Sequence, residues 1–401
     1  MGQLFPLSSN SFGPQEKQAV LEVMESGQYS MGARVREFER AFASTVGADD
    51  SVMVNSGSSA NLLLTASLLY RSKQKGLLRP GDEVIVPALN WPTTVWPILQ
   101  LGLTPVLVDI DLDTLSIDLR KCEQALTPST KAVFLTHVLG IASPMDAWTD
   151  FCQSKGLLLL EDCCEALGSS FAGSHVGNFG VGGTFSHFFS HQLTTIEGGS
   201  IITHDPELMD DLRSMRAHGW IRERSDRDQW ARDFPYLHPS FLFVIPGFNV
   251  RPTEIQAAIG LVQLKRLEEL MDKRRETAGF LVEVFSDLPW IRIFGKDFSK
   301  PSSIKSKNSW MNIAFALRQD SSIPMSKIFG VLDQHQIEYR PIIAGNLARH
   351  PVAKSLELRQ GQTLETANYL LERGFMIGCP IDLNENQKSA ILQTKEKLAQ
   401  L

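Results

Sequence analysis

Short apolar runs in the first half of the chain constrain its fold more than any other feature. Four of them lie at residues 83–87, 105–109, 132–136 and 157–161, and stretches with helical spacing of apolar residues separate them. Runs of this length and composition are typical of parallel strands that are buried on both faces. The sequence therefore predicts an α/β fold, in which ligands bind beyond the carboxyl ends of the strands.

The last third of the chain predicts a smaller second unit. An unbroken helical pattern over residues 253–285 leads out of the α/β part. Beyond it, two strands and two helices are predicted, at residues 312–317, 337–340, 324–334 and 363–373. We therefore expect a large α/β domain over residues 1–285 and a small α+β domain over residues 286–401.

Charge and hydropathy exclude two classes of partner. The chain has 39 basic and 45 acidic residues, a net charge of -6, and so offers no basic field to a nucleic acid. No apolar run reaches the roughly 18 residues that a membrane span needs, and the N-terminus has no signal-peptide pattern. We expect a cytoplasmic protein that acts on a small molecule.

Cysteine usage points to a reducing compartment. The five cysteines are an odd number and form no CxxC pair. They therefore indicate neither a disulfide framework nor a Cys-rich metal site. We expect reduced thiols and no bound metal.

A run of small residues at 55–61 is a candidate anion site. It follows an apolar segment at 52–54 and opens an apolar helical stretch at 62–69. Small residues let backbone N–H groups and the positive end of a helix approach an anion, and Ser58 and Ser59 add hydroxyl donors. The alternative is a helix N-cap cluster that binds nothing. The run is no P-loop, because the lysine and the glycine spacing of that motif are absent.

Two further side chains follow predicted strands. Asp162 ends the run at 157–161, and a carboxylate there can hold a heteroaromatic nitrogen protonated, as pyridoxal chemistry requires. A helix N-cap is the alternative role for this aspartate. Trp91 follows another strand and can lie flat on a planar cofactor, although most tryptophans are core or interface residues.

The stretch at 184–199 places polar side chains among aromatic ones. Its polar members are Ser186, His187, Ser190, His191 and Gln192, and a predicted strand follows at 200–203. A polar cluster on an apolar scaffold is typical of a functional site. For a single histidine in such a place, a hydrogen-bonded core position is the alternative.

Together these stretches resemble the fold-type I pyridoxal-phosphate superfamily and, within it, the DegT-type sugar aminotransferases and their dehydratase relatives. The motifs that carry the resemblance are NSGSSAN at 55–61, VPALNWPTT at 86–94, LEDCCEALGS at 160–169, GTFSHFFSHQLTTIEGG at 183–199, RAHGW at 216–220, PGFNVRPTEIQAAIG at 246–260 and YRPI at 339–342. The resemblance implies an aspartate-aminotransferase-like large domain, with a mostly parallel sheet flanked by helices, and a small α+β C-terminal domain.

The resemblance also implies roles for individual residues. Those assigned to cofactor binding are Gly57, Ser58, Ser59, Trp91, Asp162, Glu165, Ser186 and Asn249. The small residues would hold the phosphate, Trp91 would stack on the pyridine ring and Asp162 would pair with its nitrogen. Glu165 would contact the ring-hydroxyl side. Asn249 would reach the phosphate of the neighbouring subunit, so a homodimer with sites at the subunit interface is implied.

The chain departs from the aminotransferase pattern at one position. Where the family carries its Schiff-base lysine this chain has His191, and no lysine occurs between Lys155 and Lys265. An imidazole cannot anchor an aldehyde covalently as an amine does. We therefore expect pyridoxal 5'-phosphate and pyridoxamine 5'-phosphate to be held non-covalently.

A histidine at this position marks the 3-dehydratases that make 3,6-dideoxyhexoses. The resemblance implies that pyridoxamine phosphate drives loss of the C3 hydroxyl from a nucleotide-linked 4-keto-6-deoxyhexose, with GDP-4-keto-6-deoxymannose the favoured substrate. L-Glutamate would regenerate the amine form, and ammonia would be released. His191 suits the role of base, since an imidazole titrates near neutral pH. Cysteine spacing typical of a [2Fe–2S] cluster is absent, which favours the glutamate-dependent type.

Other roles and other functions stay open at this point. His218 is a second candidate acid/base or substrate contact, with a structural hydrogen bond as the alternative. Arg251 and Arg340 lie in matched motifs and are candidate substrate contacts, whereas the arginines of residues 221–233 are better explained by a solvated mobile loop than by diphosphate binding. The alternative functions are an aminotransferase that lacks the usual lysine and an inactive cofactor-binding regulator.

Overall fold

Helices and strands alternate along the chain, which the computed structural model describes over residues 3–295, 305–356 and 358–401. The α-helices in these ranges are α1 (Pro14–Ser26), α2 (Ala33–Val46), α3 (Gly57–Leu69), α4 (Pro92–Gln100), α5 (Leu119–Ala125), α6 (Met145–Lys155), α7 (Pro206–Arg216), α8 (Arg227–Asp233), α9 (Glu254–Phe285), α10 (Met325–Gln334), α11 (Glu365–Arg373) and α12 (Glu385–Leu398).

The strands belong to one large sheet and two smaller ones. They are β1 (Ser51–Val54), β2 (Glu83–Pro87), β3 (Thr104–Val108), β4 (Thr130–Thr136), β5 (Leu158–Asp162), β6 (Ser170–Phe171), β7 (Ser174–His175), β8 (Gly182–Ser186), β9 (Gly199–Ile202), β10 (Ile291–Ile293), β11 (Ser306–Lys307), β12 (Asn312–Leu317), β13 (Tyr339–Arg340), β14 (Arg359–Gln360) and β15 (Gly374–Gly378).

The large sheet confirms the predicted α/β fold. Its strand order is β1-β9-β8-β5-β4-β2-β3-β14, and β9 alone runs antiparallel to its neighbours. The four apolar runs of the sequence are β2, β3, β4 and β5, which lie side by side. Side chains of α3, α4 and α7 pack on one face, and those of α5 and α6 pack on the other. The strands are apolar along their length because both faces are covered.

The predicted long helix is α9, which begins one residue later than expected. Thr253 is its N-cap, and the side chain of Gln256 returns the hydrogen bond to the Thr253 backbone, forming a capping box. The C-terminal end of α9 packs with α10 and α12 against the antiparallel sheet β10-β12-β15-β13. The predicted strand at 312–317 and the two predicted C-terminal helices are confirmed as β12, α10 and α11.

Two segments cross between the parts of the chain on either side of residue 285. Phe5 is fully buried among residues of the small sheet, and its backbone bonds Gln336 and Glu338. In the other direction, β14 adds a parallel strand to β3 at the edge of the large sheet. The domain boundary near residue 285 stays a prediction, since the N-terminal segment and β14 each contribute to the unit opposite their own. Among the described helices, none is both long and apolar enough to cross a bilayer.

Candidate active site

The candidate site lies beyond the carboxyl ends of neighbouring strands in the middle of the large sheet. Strand β5 ends at Asp162 and β8 ends at Ser186, and these two strands pair in parallel. Strand β1 leads to Gly57 at the start of α3, and β2 leads to Trp91 at the start of α4. The topology therefore brings four separate motifs of the sequence to one edge of the sheet.

The small residues at 55–61 form the start of α3, which we call the anion cup. A Cβ atom on Gly57 would lie 2.6 Å from the Cβ of Ser186 and 2.9 Å from the Sγ of Cys164, so only glycine fits there. The first N–H groups of a helix have no partner within the helix and attract anions. Ser58 is exposed, and its hydroxyl bonds that of Thr93 at 2.9 Å.

Ser56 and Ser59 have a structural role in the same cup. Ser56 is the N-cap of α3, and its Oγ accepts from the Ser59 backbone N–H at 3.1 Å. The two hydroxyls lie 3.0 Å apart. Ser56 therefore caps the helix and Ser59 bonds Ser56, whereas Gly57 is buried against Ser186 and Ser58 is exposed.

Asp162 is buried, with 4% of its surface exposed. Its Oδ2 accepts from Asn61 Nδ2 at 2.9 Å and from Thr94 Oγ1 at 2.6 Å, and its Oδ1 accepts from the Cys164 N–H at 3.0 Å. Three donors therefore surround the carboxylate. Asn61 and Thr94 were not among the sequence candidates.

Glu165 follows Asp162 by three residues. Its Oε2 accepts from the Leu139 N–H at 2.7 Å. Burial raises the pKa of Glu165 to about 7, and the nearby charge of Asp162 adds to this rise. The carboxyl group therefore titrates near neutral pH and can donate or accept a hydrogen bond there.

His191 lies in the loop after β8 and is half-buried. Its ring meets the edge of Phe188 at a centroid distance of 5.8 Å, and its buried Nδ1 has no hydrogen-bond partner among the described residues. Burial lowers the pKa of His191 to about 4, and the Arg274 guanidinium adds to the decrease. The sequence suggested a pKa near the operating pH, and the enclosure of the ring accounts for the difference. The imidazole is therefore neutral at pH 7 and able to accept a proton.

The other polar side chains of this stretch hold the loop in place. His187 is fully buried, bonds Ser200 Oγ at 2.7 Å, and packs edge-on against Phe38 and Phe42. His187 therefore occupies a hydrogen-bonded core position, which was the alternative to a catalytic role for a histidine in this stretch. Gln192 Nε2 donates to the Glu165 carbonyl and to Ser309 Oγ, which ties the loop to Glu165.

Trp91 is 56% exposed, which excludes a role in the core of this chain. It is the N-cap residue of α4, and its carbonyl accepts from the N–H of Thr94, the residue that bonds Asp162. A large exposed ring one helical turn from the threonine that bonds the buried carboxylate is well placed to stack on a planar ligand.

The segment that carries Asn249 adjoins the anion cup. The Val250 carbonyl accepts from the Asn55 N–H at 3.0 Å, and the Asn249 side chain is exposed. Arg251 Nε donates to Asn249 Oδ1 at 3.0 Å. The His218 N–H donates to the Phe248 carbonyl at 2.6 Å, and the backbone of His218 has a φ of +64°. The exposed ring of His218 packs on Trp220. Asn249, Arg251 and His218 therefore lie together.

Arg340 and the arginine-rich segment are placed differently. Arg340 is exposed on β13 and pairs with Glu338 at 2.6 Å, and its described hydrogen bonds reach no residue of the cup. Arg224 is buried between Asp211 and Asp226 at 2.9 Å and 2.7 Å. The expectation of a solvated mobile loop is wrong for Arg224, because two carboxylates compensate its charge and anchor it to the protein body.

The residues of the site fit pyridoxal phosphate. The N-terminal end of α3 with the exposed Ser58 suits a phosphate, the exposed Trp91 suits a planar ring, and the buried Asp162 suits a ring nitrogen. The unpartnered Nδ1 of His191 marks the remaining polar position. A lysine anchor is absent from this part of the sequence, so these residues fit the cofactor as a non-covalent ligand.

Comparison with known proteins agrees with this geometry. GDP-4-keto-6-deoxy-D-mannose 3-dehydratase of Yersinia pseudotuberculosis is 39% identical over 389 residues, which cover 96% of each chain. The structure of E. coli GDP-4-keto-6-deoxy-D-mannose-3-dehydratase with bound hydrated PLP has a TM-score of 0.91 and 35% identity, covering 99% of this chain and 100% of that one.

A second solved structure contains glutamate joined to PLP. It is GDP-4-keto-6-deoxymannose-3-dehydratase with a trapped PLP-glutamate geminal diamine, at a TM-score of 0.88 and 35% identity, covering 98% of this chain and 100% of that one. The model of the DegT/DnrJ/EryC1/StrS aminotransferase family matches residues 10–394. With nearly the whole sequence matched and the cofactor-site motifs folded together, the chain belongs to the DegT/DnrJ/EryC1/StrS aminotransferase family.

Proposed function

We propose that this chain is a pyridoxamine-phosphate-dependent 3-dehydratase that converts GDP-4-keto-6-deoxymannose to GDP-4-keto-3,6-dideoxymannose. The observation that carries the proposal is His191, a neutral imidazole at the position of the family's lysine, within an otherwise complete cofactor site. Relatives that align over almost the whole chain bear this activity in their names. The reaction is a lyase step in deoxysugar biosynthesis, and a lipopolysaccharide biosynthesis protein is among the relatives.

The cofactor and the chain divide the chemistry between them. When bound, pyridoxamine phosphate supplies an amine for the keto carbon and a protonated pyridine ring that withdraws electrons. The chain supplies a carboxylate acceptor at Asp162 and an exposed indole at Trp91. Gly57 and Ser58 begin α3, and Ser186 lies against Gly57. These residues would hold the phosphate together with the N–H groups of the helix.

His191 would move the proton. Its Nδ1 has no partner among the described residues and is therefore the atom that we assign to accept a proton from the cofactor-bound substrate. The C3 hydroxyl would then leave as water, taking up the proton that His191 has accepted. A lysine with its ordinary pKa would be charged at neutral pH and unable to accept that proton.

L-Glutamate would close the cycle. Loss of the C3 oxygen reduces the sugar by two electrons, and oxidation of glutamate to 2-oxoglutarate supplies them. The sugar and glutamate together therefore yield the 3-deoxy sugar, 2-oxoglutarate and ammonia, and the atoms balance. The related structure with a PLP-glutamate adduct supports glutamate as the donor.

The assembly that we propose is a homodimer with sites at the subunit interface. Four exposed aromatic residues favour it: Tyr236, Phe241, Trp91 and Phe243, with exposures of 78%, 64%, 56% and 52%. Exposed aromatic surface of this kind is typical of interaction sites. In the dimer Asn249 would reach the neighbouring phosphate. The cytoplasm stays our prediction for its location, since all five cysteines are free thiols.

Support for the remaining contacts is uneven. Arg251 lies beside Asn249 and is our candidate for a substrate contact, with the exposed His218 next to it. Arg340 pairs with Glu338, so a role in substrate binding requires that this pair open. These three assignments stay predictions.

Product analysis tests the proposed function. Purified protein is incubated with pyridoxal phosphate, glutamate and GDP-4-keto-6-deoxymannose, and 2-oxoglutarate, ammonia and the sugar product are measured. We expect equal amounts of 2-oxoglutarate, ammonia and a 3-deoxy sugar. An amino sugar without ammonia would instead identify an aminotransferase, and no product at all would favour a regulator. Parallel assays with CDP-, UDP- and dTDP-linked analogues determine which nucleotide the enzyme accepts.

A further inference from the structure

The hydrogen bonds of Asp162 divide its two oxygens into different roles. Oδ2 accepts two bonds, from Asn61 Nδ2 at 2.9 Å and from Thr94 Oγ1 at 2.6 Å. Oδ1 accepts one bond, from the Cys164 N–H at 3.0 Å. A carboxylate oxygen has about two acceptor positions, so Oδ2 is saturated and Oδ1 has one position left.

The amide of Asn61 has only one possible orientation. Thr184 Oγ1 donates to Asn61 Oδ1 at 2.6 Å, so the amide oxygen faces a donor and the NH₂ group faces Asp162. The second hydrogen of that NH₂ group goes to the Thr93 carbonyl at 3.2 Å. Asn61 is 1% exposed and Thr184 is fully buried. Water therefore does not compete for these bonds.

The hydroxyl of Thr94 has a single proton and two acceptors. Asp162 Oδ2 lies at 2.6 Å and Asn90 Oδ1 at 3.0 Å, and the latter already accepts from the Trp91 N–H. The shorter bond to a charged acceptor is the stronger one. Thr94 therefore donates to Asp162. It does so from the first turn of α4, the helix whose N-cap is Trp91.

We propose that Asn61 and Thr94, with Thr184 behind Asn61, are positioning residues that fix the Asp162 carboxyl group through its Oδ2 and present its Oδ1 to the ring nitrogen of the cofactor. The inference rests on the proposed function, because it needs a cofactor with a basic ring nitrogen. Donors to a carboxylate make it a weaker base, so a proton shared with the ring stays on the ring. Without these donors the proton moves toward Asp162, and the ring withdraws electrons less strongly.

The test measures the protonation of the ring nitrogen in the bound cofactor. Pyridoxal phosphate labelled with nitrogen-15 in the ring is bound to the protein at pH 7, and its NMR shift is recorded. We compare T94V and N61A with the rescue variant T94S, which keeps the hydroxyl. The control is T65V, because Thr65 lies on the same helix as Asn61 and, among the described residues, its buried hydroxyl bonds the Asn61 backbone carbonyl and no side chain.

For T94V and N61A we expect the ratio of protonated to unprotonated ring nitrogen to fall about ten-fold, as for a lost hydrogen bond to a charged group. The rate constant kcat should fall with it, while KM for the sugar stays within about two-fold. T94S and T65V should resemble the wild-type protein. If T94V fails to fold by circular dichroism, T184V and N61A provide the same readout.

Two different results separate the possible failures. A wild-type protein that binds the cofactor with a protonated ring, together with T94V and N61A variants of unchanged ring shift, would overturn this inference and leave the proposed function intact. A wild-type protein that binds no pyridoxal phosphate would overturn both.

Discussion

Gly57 lies so close to Ser186 that a Cβ atom on residue 57 would come within 2.6 Å of the Cβ of Ser186. These two residues come from α3 and β8, and their contact forms the bottom of the anion cup. The contact explains why α3 begins with glycine, although the backbone angles of Gly57 are ones that other residues also adopt.

Gly57→Ala therefore tests the cup. The added methyl group must displace Ser186 or Cys164, and overpacking of this kind costs about 1–3 kcal/mol. We expect pyridoxal phosphate binding, measured by fluorescence titration, to weaken about ten-fold or more. Gly279→Ala is the control, since a Cβ there meets nothing within 4 Å. Equal cofactor affinity in both variants would contradict the proposed cup.

The buried histidines predict how stability depends on pH. Burial lowers the pKa of His191 and of His175 to about 4 and that of His187 to about 3, against 6.5 for an exposed histidine. Below pH 6.5 the unfolded chain therefore binds more protons than the folded one. The free energy of unfolding should fall as the pH decreases from 6.5 to 4, by at most about 1.4 kcal/mol per pH unit for each histidine. Urea unfolding of the cofactor-free protein at several pH values measures this slope, and His187→Gln should make it shallower.

The raised pKa of Glu165 predicts that its contribution to stability decreases as the pH rises. Its pKa is raised to about 7, against 4.5 for an exposed glutamate, so its contribution is complete below pH 4.5 and is lost as the pH rises through 7. Glu165→Gln removes this titration while it retains most of the volume of the side chain. Between pH 5 and pH 8 we expect the variant to lose less stability than the wild-type protein. A parallel loss in the two proteins would show that Glu165 is already ionised in the folded state.

The exposed aromatic residues predict the assembly state. Phe241→Glu places a charge on the surface that we assign to the subunit interface, so it should shift the protein toward monomer and reduce cofactor binding. Leu392→Glu is a matched control, because Leu392 is also exposed and lies on α12. Light scattering after size-exclusion chromatography measures the mass. A Phe241→Glu protein of wild-type mass would exclude this surface from the interface.

The elements that the sequence predicts best are those whose own residues form a recognisable pattern of apolar side chains. Strands β2 to β5 are apolar along their length because they are buried on both faces, so their composition alone reveals them. Strand β14 was missed, since Arg359 and Gln360 are polar and pair only at the edge of the sheet.

The contacts between distant residues could not be predicted. Asn61 and Asp162 are 101 positions apart, and only the fold brings the start of α3 to the end of β5. Composition and spacing do not decide which of His187 and His191 is a core residue, and only the family resemblance singles out His191, because the burial of His187 depends on the distant Phe38 and Phe42. Arg224 was misjudged because its partner Asp211 lies on another element.

The account depends on an imidazole at residue 191 and on a cofactor without a covalent anchor. The direct test treats the protein with pyridoxal phosphate and borohydride, denatures it, and measures its intact mass, with His191→Lys as the comparison. We predict an unchanged mass for the wild-type protein, which nevertheless produces ammonia when it is given the sugar and glutamate in the absence of borohydride. For His191→Lys we predict a cofactor adduct and no deoxygenation. A reduced cofactor attached to any lysine of the wild-type protein would contradict the account.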